Sequence, residues 1–173
     1  MDTLANRITI ARILLIPVFL ILAYLGFSWW ALAVFVVACL TDLVDGYIAR
    51  HYDQVSDVGK FIDPLADKIL VMAAMCYFVE AGRMPGWALA VVLFREFAVS
   101  GLRLIAVERK RVIAAAWSGK IKTFSTMVAL GFMMVFGEHD WINIAATAVI
   151  LLTTVYSGID YFYKNRDIFT KSK

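Results

Sequence analysis

Cysteine, proline, histidine and charge are all scarce in this chain of 173 residues. It has two cysteines, three prolines and two histidines, and only 18% of its residues are charged. Cys39 and Cys76 stand far apart in apolar runs, which excludes a disulfide framework and a cysteine-ligated zinc cluster. The net charge of +3 is too small for a nucleic-acid-binding surface, so we expect no nucleic acid as a partner.

Hydrophobic residues, in contrast, make up 62% of the chain, and its mean hydropathy is +0.76. A membrane-spanning helix needs about 20 apolar residues, and six stretches approach this length: 8–27, 29–50, 58–80, 87–107, 118–136 and 141–163. Glycine, proline and polar residues separate them, and Trp29, Trp87 and Trp141 open three of them, as interfacial residues do. We therefore predict an all-α, polytopic integral membrane protein with six transmembrane helices, forming one domain over residues 1–173.

The basic residues are distributed unevenly about these spans. Of the 17 Lys and Arg, 13 lie in the N-terminal segment, the second and fourth loops and the C-terminal tail. The opposite side has only Arg83, and the remaining three fall within spans. The positive-inside rule then places both termini on the cytoplasmic side of the cell membrane. The basic fourth loop and tail are also expected to attract anionic lipid headgroups.

Acidic residues cluster where the second predicted span ends and the third begins. Folding the chain into a hairpin near residues 54–55 places Asp42 opposite Asp67, and Asp45 opposite Asp63. Four carboxylates in one pocket beneath the cytoplasmic surface repel each other unless they are neutralised. Raised pKa values, hard divalent cations such as Mg²⁺, Mn²⁺ or Ca²⁺, and salt bridges are the three ways to neutralise them. The basic residues considered for such salt bridges are Arg50, Lys68, Arg95 and Arg103.

The segment from Asp42 to Asp67 resembles the signature of the CDP-alcohol phosphotransferase family. It reads DLVDGYIAR, eight further residues and GKFIDPLAD, which matches DxxDGxxAR and GxxxDxxxD at every fixed position and at the family spacing. Later stretches, REFAVSGLR at 95–103 and GKIKT at 119–123, resemble the bacterial phosphatidylglycerophosphate synthase subfamily, although Thr126 stands where we expect Gln. The resemblance implies the six-helix CDP-alcohol phosphotransferase fold, with its active site on the cytoplasmic side.

The resemblance also implies a reaction and its machinery. The phosphatidyl group of CDP-diacylglycerol passes to sn-glycerol 3-phosphate, giving phosphatidylglycerophosphate and CMP in phospholipid biosynthesis. The resemblance implies two divalent cations, Mg²⁺ or Mn²⁺, as cofactors, and a homodimer in the lipid bilayer. Asp67 accepts the proton of the acceptor hydroxyl. The implied metal ligands are Asp42, Asp45, Asp63 and Asp67, and the implied CDP-diacylglycerol contacts are Asp45, Gly46, Ala49, Arg50 and Gly59.

The acceptor carries a dianionic phosphate, which must be held away from the four carboxylates. We therefore predict a separate cationic subsite made of Arg103, Arg111 and Lys120, all near the cytoplasmic ends of the fourth and fifth spans. The alternative is that these residues only follow the positive-inside bias, as Arg109, Lys110 and Lys122 also would. Arg95 and Glu96 fit either a buried structural pair or polar support for the pocket.

Two other functions remain open at this point. A member of the same family could use inositol phosphate, phosphatidylglycerol or serine as its acceptor. A small metal or proton transporter could use the acidic cluster as a pathway, since ionisable groups within spans mark ion paths. However, the acidic residues lie at one end, and the outer halves of the second and third spans are almost wholly apolar.

Overall fold

The computed structural model describes residues 4–52, 57–108 and 116–166, and it describes side chains for 10–41, 68–107 and 116–166. Within these ranges the chain is all-helical. The helices are α1 (Leu4–Tyr24), α2 (Ser28–Tyr52), α3 (Asp57–Glu80), α4 (Gly86–Glu108), α5 (Trp117–Phe136) and α6 (Asp140–Lys164). Each coincides with one of the six predicted apolar stretches, and all bounds agree within four residues.

The helices run up and down, so that the bundle has two distinct ends. Lys68 at the middle of α3 is hydrogen-bonded to Ser100 in the second half of α4. Ser118 at the start of α5 is hydrogen-bonded to Asp160 near the end of α6. We call the end where α2 ends and α3 begins the signature end, because the Asp42-to-Asp67 segment lies there. The other end, where α1, α3 and α5 terminate, is called the opposite end.

Tight turns connect helices at the opposite end. Gly26 lies between α1 and α2 with φ 80°, and Gly82 lies between α3 and α4 with φ 70°. These left-handed conformations suit glycine because it has no Cβ. Short turns of this kind bring successive helices together as antiparallel neighbours, as the sequence punctuation predicts.

The main apolar core fills the half of the bundle towards the opposite end. Phe19 of α1, Phe35 of α2 and Phe78 of α3 are fully buried there, together with Met133 of α5. Helix α1 packs on α2 and α3, α5 packs on α6 and α2, and α4 packs on α6 and α3. A second, smaller apolar cluster lies nearer the signature end and consists of Val99, Leu102, Ala106 and Tyr161.

Large apolar side chains cover the outside of the bundle as well as its interior. Phe94, Phe97, Phe124 and Leu152 are all exposed on helix surfaces. By length and composition, α5 and α6 are able to cross a membrane, and apolar helical segments also run over Ile10–Tyr24 and Ser28–Thr41. An apolar exterior around an apolar interior is what a lipid-facing bundle requires. Apolar helices of this kind, with apolar outer faces, are typical of helical membrane proteins.

Candidate active site

The Asp42-to-Asp67 signature lies on two consecutive helices at the signature end. Its first half, DLVDGYIAR, occupies the C-terminal part of α2, and its second half, GKFIDPLAD, occupies the N-terminal part of α3. Helix α2 ends at Tyr52 and α3 begins at Asp57, so the two halves of the signature lie on consecutive helices, and the predicted turn near residues 54–55 lies outside the described residues. The side chains of Asp42, Asp45, Asp63 and Asp67 lie outside the described set, as do those of Gly46, Ala49, Arg50 and Gly59. Their convergence on one pocket stays a prediction.

A buried ionic cluster lies directly beyond this signature and is centred on Glu96 of α4. Glu96 Oε1 accepts hydrogen bonds from Arg95 Nη1 at 2.9 Å and from Lys122 Nζ at 2.8 Å. Its other oxygen, Oε2, lies 3.6 Å from Lys68 Nζ. Three helices, α3, α4 and α5, therefore meet through one carboxylate. We call Lys68, Arg95, Glu96 and Lys122 the Glu96 cluster.

Serine hydroxyls and a glycine complete the surroundings of this cluster. Lys68 Nζ donates to Ser100 Oγ at 2.7 Å, and Arg95 Nη2 donates to Ser157 Oγ of α6 at 2.5 Å. A Cβ on Gly158 would lie 3.4 Å from Arg95 Cγ, so the absence of a side chain there lets α6 approach the arginine closely. The open question about Arg95 and Glu96 is thus answered in part: they are an ion pair, and they belong to a larger network.

A second polar group lies at the same end, on α5 and α6. Asp160 accepts a hydrogen bond from Ser118 Oγ at 2.5 Å, and its carboxylate lies 2.7 Å from Lys164 Nζ. Asp160 therefore has both a hydroxyl partner and a basic partner. Since Asp160 and Lys164 are four residues apart, they stand on one face of α6.

The predicted acceptor subsite is only partly described. Arg103 is exposed on α4, and its Nε donates to the hydroxyl of Tyr161 at 2.9 Å. Lys120 is exposed in the first turn of α5, with Nζ 5.0 Å from the ring centre of Trp117. Both residues lie at the signature end. Arg111 lies outside the described residues, and the three are not shown to meet.

Lys122 is the residue whose place sequence reasoning missed. It was grouped with cations that follow the positive-inside bias, yet its side chain is only 7% exposed and is paired with Glu96. Lys120 and Lys122 both lie inside α5 rather than in the loop before it. Their two-residue separation turns them about 200° apart around the helix, so one faces out and the other faces in. This two-residue spacing within a helix is the sequence signal that could have indicated a buried Lys122.

Arg12, near the middle of α1, is a further buried cation and is only 1% exposed. It belongs to the opening motif NRITIAR, which the sequence gives at 6–12. Among the described side chains, no three His, Cys, Asp or Glu residues lie together as a metal site. The four signature aspartates stand outside that search, and as a set of hard oxygen donors they have the chemistry that Mg²⁺ or Mn²⁺ prefers.

The chain is similar to a known family and to several curated proteins. The family described as CDP-alcohol phosphatidyltransferase matches residues 2–157. The chain is 39% identical to the CDP-diacylglycerol–glycerol-3-phosphate 3-phosphatidyltransferase of Bacillus subtilis, over 95% of this chain and 96% of that protein. It is 40% identical to a probable phosphatidylglycerophosphate synthase of Mycobacterium tuberculosis, over 91% and 79%. A Salmonella paratyphi A protein with the same description as the Bacillus one is 33% identical, over 89% and 90%.

Proposed function

The chain belongs to the CDP-alcohol phosphatidyltransferase family, and from this premise we propose that it transfers the phosphatidyl group of CDP-diacylglycerol to sn-glycerol 3-phosphate. The products are phosphatidylglycerophosphate and CMP, and the reaction belongs to phospholipid biosynthesis. One observation carries the proposal: relatives named for this reaction align with about nine tenths of the chain or more. The intact signature on α2 and α3 supports it from the residues themselves.

We assign the chemistry to the signature end. Asp67 takes the proton of the acceptor hydroxyl, whose oxygen forms a bond to the β-phosphorus while the bond to the leaving CMP breaks. No covalent enzyme intermediate is needed. Asp42, Asp45, Asp63 and Asp67 are the residues that would hold two divalent cations, Mg²⁺ or Mn²⁺. When bound, such cations supply positive charge that screens the pyrophosphate and the departing CMP.

The nucleotide and the acceptor take separate subsites in this proposal. Small residues and one basic side chain receive the CDP moiety of CDP-diacylglycerol, and the set is Asp45, Gly46, Ala49, Arg50 and Gly59. Arg103, Arg111 and Lys120 receive the acceptor phosphate. The exposure of Arg103 and Lys120 at the signature end supports this second assignment, because a water-soluble phosphate must reach them from the aqueous side.

The proposal also includes six membrane crossings, one for each helix. All six helices of the described chain have 20 or more residues, which is about the length that a bilayer requires. The strong excess of Lys and Arg at the signature end supports a cytoplasmic location for both termini and for the active site. The diacyl chains then remain in the bilayer, and the protein assembles as a homodimer, which light scattering of the purified protein in detergent tests.

The decisive experiment uses the purified full chain with radiolabelled CDP-diacylglycerol, Mg²⁺ and a panel of acceptors. We expect CMP release and labelled phosphatidylglycerophosphate only with sn-glycerol 3-phosphate. A labelled product with inositol phosphate, phosphatidylglycerol or serine instead would change the acceptor but keep the family chemistry. Absence of CMP with every acceptor, together with metal uptake into proteoliposomes, would contradict the proposed function and favour a transporter.

A further inference from the structure

A cleft lies at the opposite end of the bundle, between the turn that joins α3 to α4 and the start of α6. Its volume is about 590 Å³, which is within the range of small-ligand sites in proteins. Gly82 and Gly86 form part of its wall and contribute no side chain that could fill it. Its polar lining consists of Arg83, Asp140 and Asn143, all of which belong to the described part of the chain. We call it the Arg83 cleft.

The amide of Asn143 is buried in the wall of this cleft and is only half satisfied. The residue is 6% exposed, its Nδ2 donates to the carbonyl of Gly137 at 2.8 Å, and its Oδ1 has no hydrogen-bond partner among the described residues. Because a carbonyl can only accept, the amide nitrogen must face Gly137 and the amide oxygen must face away from it. A buried acceptor without a donor is costly. This oxygen therefore indicates a ligand with a donor group.

Arg83 and Asp140 line the same cleft but do not pair with each other. No ion pair joins them among the described residues, and the one described hydrogen bond of Arg83 runs from Nη1 to the carbonyl of Met133 at a long 3.5 Å. Its Nε and Nη2 remain for a ligand, and a guanidinium fork matches a phosphate. Helix α4 begins at Gly86, and N–H groups at a helix start also favour an anion.

The charges around the cleft favour a zwitterion over a simple anion. The described charged residues at this end are one guanidinium and three carboxylates, namely Arg83, Glu80, Glu138 and Asp140. Three carboxylates repel a ligand of net negative charge. A ligand that carries both a phosphate and an ammonium group is neutral overall, and its ammonium supplies N–H donors to the carboxylate of Asp140 and to the unpaired oxygen of Asn143.

The apolar surroundings of the cleft favour a membrane lipid over a soluble compound. Ile144 lines the cleft and is 70% exposed. Trp87 and Trp141 directly follow two lining residues in the sequence and are 62% and 69% exposed. Exposed tryptophans at helix starts are typical of the membrane–water interface. A headgroup in the cleft can therefore leave its acyl chains along the apolar outer surface of the bundle.

We propose that the Arg83 cleft binds the headgroup of a zwitterionic phospholipid with a primary ammonium group, such as phosphatidylethanolamine. Arg83 binds its phosphate, and its ammonium donates to Asp140 and to Asn143 Oδ1. This site goes beyond the proposed function, because it lies at the end of the bundle away from the assigned chemistry. It requires that the bundle lies in a membrane and does not depend on the reaction, so its test is binding rather than turnover.

The first test compares three lipids with identical acyl chains by native mass spectrometry of the full chain in detergent. Phosphatidylcholine keeps the positive charge but has no N–H donor, and phosphatidylglycerol has hydroxyl donors but no positive charge. We expect one retained phosphatidylethanolamine, bound about tenfold or more tightly than either of the others. Equal retention of all three lipids would overturn the assignment, and so would retention of none, which would mean that the cleft holds only water.

The second test locates the bound lipid with Arg83→Gln and Asp140→Asn. Each should weaken phosphatidylethanolamine binding about tenfold or more, since each removes a charge-assisted hydrogen bond. Glu138→Gln is the matched control: Glu138 is exposed at the same end but does not line the cleft, and its loss should change the affinity less than about twofold. Arg83 packs against Gly137, so Arg83→Gln can also disturb folding. Asp140 is exposed, and an unchanged affinity in Asp140→Asn would overturn the proposal.

A soluble headgroup separates the two sources of this ligand chemistry. Glycerophosphoethanolamine has the same phosphate and ammonium but no acyl chains, so calorimetry should show binding about a hundredfold weaker than that of the lipid. Equal affinity would make the ligand a soluble compound and would contradict the lipid assignment. Normal CMP release without selective lipid retention would overturn this inference and leave the proposed function intact. Selective retention that Asp140→Asn abolishes, without CMP release from any acceptor, would do the reverse.

Discussion

The two ends of the bundle satisfy their polar groups in different ways. At the opposite end, Asn143 Nδ2 donates to the carbonyl of Gly137 at 2.8 Å, and Arg83 Nη1 donates to the carbonyl of Met133 at 3.5 Å. The hydroxyl of Tyr24 donates to the carboxylate of Glu80 at the same end. At the signature end, charged side chains bind one another across three helices, with Glu96 at the centre. The described contacts at the opposite end are single hydrogen bonds, whereas those of the Glu96 cluster join three helices through one carboxylate.

This difference indicates which end of the bundle holds the active site, although all six helices are long and largely apolar. The main apolar core is concentrated towards the opposite end, where buried Phe19, Phe35 and Phe78 pack together. Among the described side chains, the smaller apolar cluster and the buried Lys122 lie nearer the signature end. We therefore expect substitutions at the signature end to affect chemistry more than stability, and those at the opposite end to do the reverse.

The largest effect is expected at Asp67. Asp67→Asn removes the proposed proton acceptor but keeps its size, so turnover should fall below a few per cent of the wild type while the protein still folds and binds CDP-diacylglycerol. The CMP release assay measures this. Asp140→Asn makes the same change at the opposite end and should retain full turnover. If Asp67→Asn keeps more than a few per cent of wild-type turnover, Asp67 is not the proton acceptor.

Loss of metal is expected to be almost as severe. Asp42→Ala or Asp63→Ala each deletes a hard oxygen ligand, and activity should drop at least a hundredfold. EDTA should abolish the activity of the wild type, and added Mg²⁺ or Mn²⁺ should restore that activity. Full activity in EDTA, with metal content checked by elemental analysis, would contradict the assignment of these carboxylates to cations.

A smaller and more selective effect is expected for the outward-facing cations. Arg103→Ala and Lys120→Ala should each raise the KM for glycerol 3-phosphate about ten- to a hundredfold, since a charge-assisted hydrogen bond contributes about 1.5–3 kcal/mol. The KM for CDP-diacylglycerol should move much less. Steady-state kinetics with each substrate varied in turn measures both constants. Equal losses for both substrates, or no change in either, would show that these residues serve folding or topology.

The smallest effect on activity is expected at the opposite end. Asn143→Leu removes the hydrogen bond to the Gly137 carbonyl and should lower the free energy of unfolding by about 1 kcal/mol. Turnover by the folded fraction should equal that of the wild type. Chemical unfolding in detergent micelles and the CMP assay test the two parts separately. A selective loss of turnover with unchanged stability would break the contrast between the two ends.

Much of the fold could be predicted because its signals are local. Six apolar stretches of sufficient length, with glycine and proline between them, predict six helices, and the structure confirms them within four residues. The signature from Asp42 to Asp67 is similarly readable, since spacing along two helices determines which residues share a face. Lys122 shows the limit: its sequence position suggested a basic loop, whereas the structure buries it beside Glu96.

By itself, the sequence determined how many helices form and where each begins and ends, because the length of an apolar stretch acts within a single helix. It also determined the acidic signature of the family, because that signature is a matter of residue type and spacing. Only the tertiary structure decided how the helices rotate about their axes. That rotation turns Lys122 inward and Lys120 outward, and it directs cations from α3, α4 and α5 to one carboxylate. The physical reason is that such contacts join residues far apart in the chain, such as Arg95 and Ser157 at 62 positions, and depend on how whole helix faces pack.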